Sequence, residues 1–234
     1  MKTDILGIKV TNASASDVLE FVADSVKSKK PKLTIVTPNP EMVMYARSHP
    51  QFQKIINEAD ISLCDGIGLF IAGRILRRPV QERISGVDFM LGLCRDASEK
   101  AMTVGFLGGR PGIAERTAEC LRENLPRLEV AFTGAEFEAN QFPTTGLDIL
   151  FVAYGVPKQE EWIQTNLPTL PIRIAMGVGG AFDYISGDVS RAPFVIRLLG
   201  FEWLYRLIRQ PWRWRRQVAL IEFVLLVCKE KLRT

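Results

Sequence analysis

The sequence is poor in the residues that most often carry chemistry. Among its 234 residues there is one histidine, His49, so neither a histidine triad nor a histidine metal cluster can be built. The four cysteines, Cys64, Cys94, Cys120 and Cys228, are scattered and form no CxxC. That spacing indicates neither a zinc site nor a disulfide framework and suits a reducing cytoplasm. Long apolar runs are also lacking: Val218 to Val227 is interrupted by Glu222 and is too short to cross a bilayer. The start, Met1-Lys2-Thr3-Asp4, has no apolar core of a signal peptide. No low-complexity tract or repeat period is present, which removes linkers and solenoids from consideration.

What is present is an ordinary globular composition, 47% hydrophobic and 24% charged. The length suits one generous domain, or one domain with an appendage. The net charge of +4 is unevenly placed: Val195 to Thr234 holds nine Lys/Arg and three Asp/Glu, or +6, which leaves −2 for the first 194 residues. The basic character belongs to the C-terminal segment, and the expected division is residues 1–193 and 194–234.

The organising stretch is Ile61-Ser62-Leu63-Cys64-Asp65-Gly66-Ile67-Gly68, a short apolar run that delivers a carboxylate to a glycine turn before a helix. Such turns lie at the carboxyl edge of open α/β sheets, where ligands bind. Asp65 is therefore a candidate for chemistry, the other reading being a cap on the next helix. Asp4 to Val10 reads as a strand, and Ser14 or Ser16 caps a helix bearing Val18, Leu19, Val22 and Val26 on one face. Leu33 to Val36 is a strand ending in Thr37-Pro38-Asn39-Pro40, which presents Thr37 and Asn39 to a ligand or uses them in the turn. Arg83, in the connection before Ser85-Gly86, suits an anion or a structural ion pair.

Three later strands end in similar turns. Met102 to Leu107 leads into Gly108-Gly109, within a loop that matches neither GxGxxG nor the P-loop. Leu147 to Ala153 leads into Gly155-Val156-Pro157-Lys158-Gln159, and Ile172 to Met176 into Gly177-Val178-Gly179-Gly180. Lys158 and Gln159 could grip a diphosphate or a sugar, or sit in an exposed first helical turn. With Leu128 to Phe132 as a further strand, the alternation with helices predicts an α/β fold, Rossmann-like, with a mostly parallel sheet covered on both faces. Right-handed crossovers then gather the carboxyl-edge turns on one side.

The C-terminal segment reads as two helices, Phe194 to Arg209 and Trp212 to Leu232, rich in arginine and in Trp203, Tyr205, Trp212 and Trp214. Aromatic and cationic side chains together suit a lipid headgroup interface. A helical hairpin packed on the core with a basic outer face is the other reading. Nucleic acid is not expected, because no DNA-binding or RNA-binding module accompanies the basic helices.

Taken together, Thr37-Pro38-Asn39-Pro40, Asp65-Gly66-Ile67-Gly68, Gln81 to Asp88, Gly105 to Gly109, Gly155 to Glu160, Gly177 to Asp183 and Arg191-Ala192-Pro193 resemble the WecG/TagA/CpsF glycosyltransferase family, in order and along the whole chain. Within it, the teichoic acid branch is the nearest. The resemblance implies transfer of N-acetylmannosamine from UDP-ManNAc to undecaprenyl-diphosphate-linked GlcNAc, with inversion. It makes Asp65 the base and Arg83 the electrostatic support of the diphosphate. Thr37, Asn39, Lys158 and Gln159 would contact the substrate, and Gly66, Gly108, Gly109, Gly179 and Gly180 would seat it. No DxD occurs, so metal independence is expected and no cofactor is assigned. Arg206, Arg209, Arg213, Arg215 and Arg216 would meet lipid or acceptor diphosphate, with the enzyme peripheral on the inner face of the cytoplasmic membrane. Homo-oligomerisation stays open until a size is measured. An NAD-dependent oxidoreductase, a membrane-docked nucleotide-sugar sensor, or a relative moving ManNAcA or glucose are the other readings.

Overall fold

The computed structural model describes residues 2–28, 31–138, 142–143, 145–209, 211 and 214–233. The chain opens with β1 (Lys2–Ile5) and β2 (Ile8–Thr11), paired antiparallel. The single strand expected over Asp4 to Val10 is thus a hairpin. Its turn is Leu6-Gly7, both at positive φ, 56° and 86°. That is the backbone sign of a two-residue hairpin turn, which glycine adopts without steric cost. The apolar alternation hides the turn because Ile5, Ile8 and Val10 are all buried against one core. Helix α1 (Ala15–Lys27) follows, with Ser14 and Asp17 forming a reciprocal capping box.

The remaining elements alternate. They are β3 (Leu33–Val36), α2 (Pro40–Ser48), α3 (Pro50–Glu58), β4 (Ile61–Ser62), α4 (Ile67–Ile75), α5 (Gly86–Lys100), β5 (Thr103–Gly108) and α6 (Ile113–Asn124), then β6 (Glu129–Gly134), β7 (Leu147–Ala153), α7 (Lys158–Asn166), β8 (Ile172–Gly177) and α8 (Ala181–Ile185). The strands β3 to β8 form a six-stranded sheet in the order β4-β3-β8-β7-β5-β6. Every pairing in it is parallel, as the alternation implies.

Both faces are covered, and the sequence of β7 shows how. Ile149 and Phe151 enter one core with α5 and α6, while Leu150 and Val152 enter another with Ile163 of α7. All four are 0% exposed. Two-residue periodicity sends alternate side chains to opposite layers, so a strand buried on both faces reads as an uninterrupted apolar run. Each such side chain contributes about 1.5–3 kcal/mol of burial. A third core joins the hairpin, α2, α3 and α4.

The C-terminal segment forms α9 (Phe194–Leu198), α10 (Glu202–Arg209) and α11 (Trp214–Lys231). The single helix expected over Phe194 to Arg209 is broken at Gly200, whose φ is 81°. A Cβ at that glycine would stand 2.7 Å from Cβ of Ile67, so α9 and α10 turn over the start of α4. Helix α11 seats Phe223 and Val227 in the third core. Among the described residues no helix is long and apolar enough to cross a membrane.

Candidate active site

The carboxyl ends of β3, β4, β7 and β8 open into a cavity of about 640 Å³. Thr37 and Asn39 reach it from the turn after β3, Asp65 from the turn after β4, and Gly86 and Val87 from the start of α5. Ala153 to Val156 and Gln159 supply the β7 side, Val178 to Ala181 the β8 side, and Arg206 enters from α10.

Asp65 is placed by its backbone. Leu63 N–H donates to the Val36 carbonyl at 2.8 Å and Asp65 N–H to the Pro38 carbonyl at 3.0 Å, which extends β4 irregularly beside the β3 turn. On the other side, Ile84 N–H donates to the Cys64 carbonyl at 2.9 Å and draws in the loop before α5. Gly66, at φ 85°, then redirects the chain into α4. The N–H groups of Gly86 and Gly66 both donate to the Asp65 carboxylate. Burial, with the charge of Glu202 adding to it, outweighs those bonds and the attraction of Arg83, so the carboxyl is pushed up to about 7. It is thus poised to exchange a proton near neutral pH. Burial pushes the neighbouring Cys64 thiol up to about 12, which makes it a packing residue and not a nucleophile.

Arg83 does not line the cavity. Its charge acts on Asp65, and its Nη2 donates to the Arg197 carbonyl at 3.0 Å, tying the loop before α5 to α9. Asn39 has two positions at once: it lines the cavity and its Oδ1 accepts from Met42 N–H at 3.0 Å, capping α2. Thr37 is 8% exposed and touches Gly86, where a Cβ would meet its Cγ2 at 3.2 Å. Gln159 lines the cavity, yet its side chain is engaged, with Oε1 accepting from Gly155 N–H at 3.2 Å and Gly179 N–H at 2.9 Å. Lys158 is exposed and outside the lining. Gly108 and Gly109 are outside it as well. Gly108 is needed because a Cβ there would lie 2.8 Å from the Ala153 carbonyl carbon, and Gly109 N–H donates to the Ala153 carbonyl at 3.2 Å. Gly179 and Gly180 do line the cavity.

Of the C-terminal arginines, Arg206 enters the cavity. Its guanidinium carbon stands 5.0 Å over the Tyr184 ring, and its buried Nε has no hydrogen-bond partner among the described residues. Arg209 packs over Tyr205 at 5.6 Å and does not line the cavity. Arg213 lies outside the described residues, as do the side chains of Arg215 and Arg216. A clamp holds α10 in place: Arg191 donates to both oxygens of Asp88 at 2.6 and 2.8 Å, to Ser85 Oγ at 3.2 Å and to Glu202 at 3.4 Å.

Sequence reasoning did not single out Tyr45, Tyr154 or Tyr184, which all line the cavity. A signal existed for Tyr45, one helical turn beyond Glu41 on the face of α2 that Asn39 opens. Tyr184 follows directly on Gly177 to Asp183, one residue past the motif.

Residues 3–234 match the model of the glycosyl transferase WecG/TagA/CpsF family. The chain belongs to that family and is a glycosyltransferase. It is 34% identical over 203 residues to an N-acetylglucosaminyldiphosphoundecaprenol N-acetyl-beta-D-mannosaminyltransferase of Bacillus spizizenii, covering 84% of this chain and 79% of the relative. The proteins of the same description from Bacillus subtilis and Staphylococcus aureus are 28% and 31% identical, covering 99% and 98% of this chain and 93% of each relative. The family match reaches residue 234, so α9 to α11 belong to the shared length.

Proposed function

We propose that this glycosyltransferase moves N-acetylmannosamine from UDP-ManNAc to undecaprenyl-diphosphate-linked GlcNAc in the synthesis of the wall teichoic acid linkage unit, by one inverting displacement. The names of the relatives support the acceptor and the sugar. The observation that carries the chemistry is a carboxyl group, pushed up to about 7, sharing a cavity with a guanidinium. Asp65 takes the proton of the acceptor hydroxyl as its oxygen bonds to the anomeric carbon. The bond from that carbon to the diphosphate breaks on the opposite face, and UDP leaves with the electron pair. Arg206 donates to the departing phosphate oxygens. Arg83 supports the charges from behind, through Asp65. Thr37 and Asn39 orient the sugar hydroxyls or the acetamido group.

The transfer is proposed to need no metal. In support, Arg206 already supplies a cation to the cavity, where it can meet the departing diphosphate. A polyprenyl acceptor stays in the bilayer, so the enzyme is proposed to work peripherally on the inner face of the cell membrane. Helices α9 and α10 expose Phe194, Val195, Leu198 and Ile208, each more than 60% accessible, beside arginines. That mixture fits a headgroup interface.

The test is UDP release from a panel of UDP-sugars, with and without lipid-linked GlcNAc, with and without EDTA. Release from UDP-ManNAc that needs the acceptor and survives EDTA is the expected result. Release from another sugar reassigns the donor, and binding of UDP-sugar without release makes the protein a sensor.

A further inference from the structure

Beneath the β7 and β8 turns lies a buried polar pair that the proposed chemistry does not use. Gln159 and Glu160 are each 1% exposed at the start of α7. The Gln159 amide faces three groups: the N–H of Gly155 and the N–H of Gly179 both donate to its Oε1, and its Nε2 donates to Glu160 Oε1 at 2.6 Å. Reversing that amide would set a donor against two donors and an acceptor against the carboxyl, so only one orientation satisfies all three. Gly177 leaves the room: a Cβ there would stand 2.8 Å from Gln159 Nε2 and 3.2 Å from Glu160 Oε1. Glu160 Oε2 has no hydrogen-bond partner among the described residues, which makes the site costly to keep. Burial accordingly pushes the carboxyl up to about 7, against the hydrogen bond from Gln159. A costly group held beside a ligand cavity points to a role in the site.

We infer that Glu160 is a positioning residue for donor binding: by fixing which way the Gln159 amide faces, it holds the turns after β7 and β8 at the spacing that a nucleoside diphosphate requires. The inference rests on the donor reading above. Tyr154, Gly155 and Val156 come from one of these turns and Val178, Gly179 and Gly180 from the other, and all six line the cavity. The Gln159 side chain is their hydrogen-bonded cross-link. Glu160 touches neither substrate nor reacting atoms and acts through that amide.

The experiment compares Glu160→Gln and Glu160→Met. Glutamine keeps an acceptor for Gln159 Nε2, whereas methionine keeps the shape and removes it. Glu160→Gln is expected to bind UDP within about threefold of the parent by calorimetry, and Glu160→Met at least about tenfold more weakly, with donor KM raised and kcat little changed. Hydrogen exchange at the Gly155 and Gly179 amides should quicken in Glu160→Met, while its folding midpoint holds or rises because a poorly paired buried carboxyl is gone. Parent-like exchange and UDP affinity in Glu160→Met overturn the inference. So does a collapse of its folding midpoint, which would make Glu160 structural, or a Glu160→Gln variant as impaired as Glu160→Met. If the parent chain itself fails to bind UDP, the donor reading falls, and exchange at the two glycines still decides whether Glu160 sets the turns.

Discussion

Arg206 lies across the ring of Tyr184, its guanidinium carbon 5.0 Å from the centroid, with Nη2 where a Cβ on Gly180 would be 2.7 Å away. A cation from α10 is therefore held against the β8 turn by an aromatic face from α8. Arg206→Ala is expected to lower kcat by about 10²–10³, the loss found when one charge-stabilising donor is removed from a transition state. Arg206→Lys should recover only part of it, because an ammonium cannot reproduce a planar fork stacked on a ring. Tyr184→Phe keeps the ring and should stay near parent activity. Steady-state UDP release measures all three.

The pH dependence of turnover should report Asp65. A base must be ionised to accept the acceptor proton, so the rate rises with pH through about 7, the value to which burial and Glu202 push that carboxyl. Glu202→Gln removes the repelling charge and should move the acid limb to lower pH, with Arg83 left as the nearby charge favouring ionisation. Asp65→Asn should remove at least about 10²-fold of kcat, since general-base catalysis is worth that much or more. A profile that stays put in Glu202→Gln would separate α10 from the base.

Stability should also fall as pH rises from the unfolded carboxyl range to neutrality. Asp65 and Glu160 both have folded values raised to about 7. Between the unfolded values and 7 the native state holds more protons than the unfolded chain, so unfolding free energy declines with pH across that window. Glu160→Gln should therefore be more stable than the parent at pH 8 and no more stable at pH 4, read by urea midpoints. Asp88 runs the other way. Burial opposes its ionisation, but Arg191, with Arg197 and Ser85, holds it below the usual carboxylate range, so its contribution is lost as pH falls through that lowered value.

How much of this was legible in sequence depended on whether the information was local. The parallel sheet and the Asp65 turn could be read because apolar runs ending at glycine are local signals, and the carboxyl-edge geometry follows from handedness. The hairpin could not, because Leu6, itself a turn residue, continues the apolar series of Ile8 and Val10, so nothing in the pattern marks where the chain reverses. Gly200 gave no warning inside an apolar helical pattern, since its need for positive φ arises only when α9 meets Ile67. Arg206 looked like the other arginines of its segment. What sets it apart is Tyr184, distant in sequence and brought beside it by α10 crossing the β8 turn. Gly108 seemed ready for a ligand, yet its glycine serves the close approach of β5 to Ala153 of β7.

The exposed apolar face of α9 and α10 yields the last prediction. Phe194, Leu198 and Ile208 are 67%, 63% and 70% accessible on helices held to the body by Arg191 and by the Arg83 bond to Arg197. Fully burying such a side chain gains about 1.5–3 kcal/mol, so inserting them even in part would bind the chain to lipid. Replacing all three by serine should cut partitioning to anionic vesicles by at least about tenfold, one decade corresponding to 1.4 kcal/mol. Turnover of a short-chain acceptor free in solution should persist, because none of the three lines the cavity. A lipid-embedded acceptor should turn over slowly, and anionic lipid should matter through the adjacent arginines, weakening with salt as screened charges do. Sedimentation with vesicles at two salt concentrations separates the contributions: apolar loss should be salt-independent and arginine loss salt-dependent. Unchanged partitioning in the triple serine variant would remove these three side chains from membrane binding and leave it to the arginines.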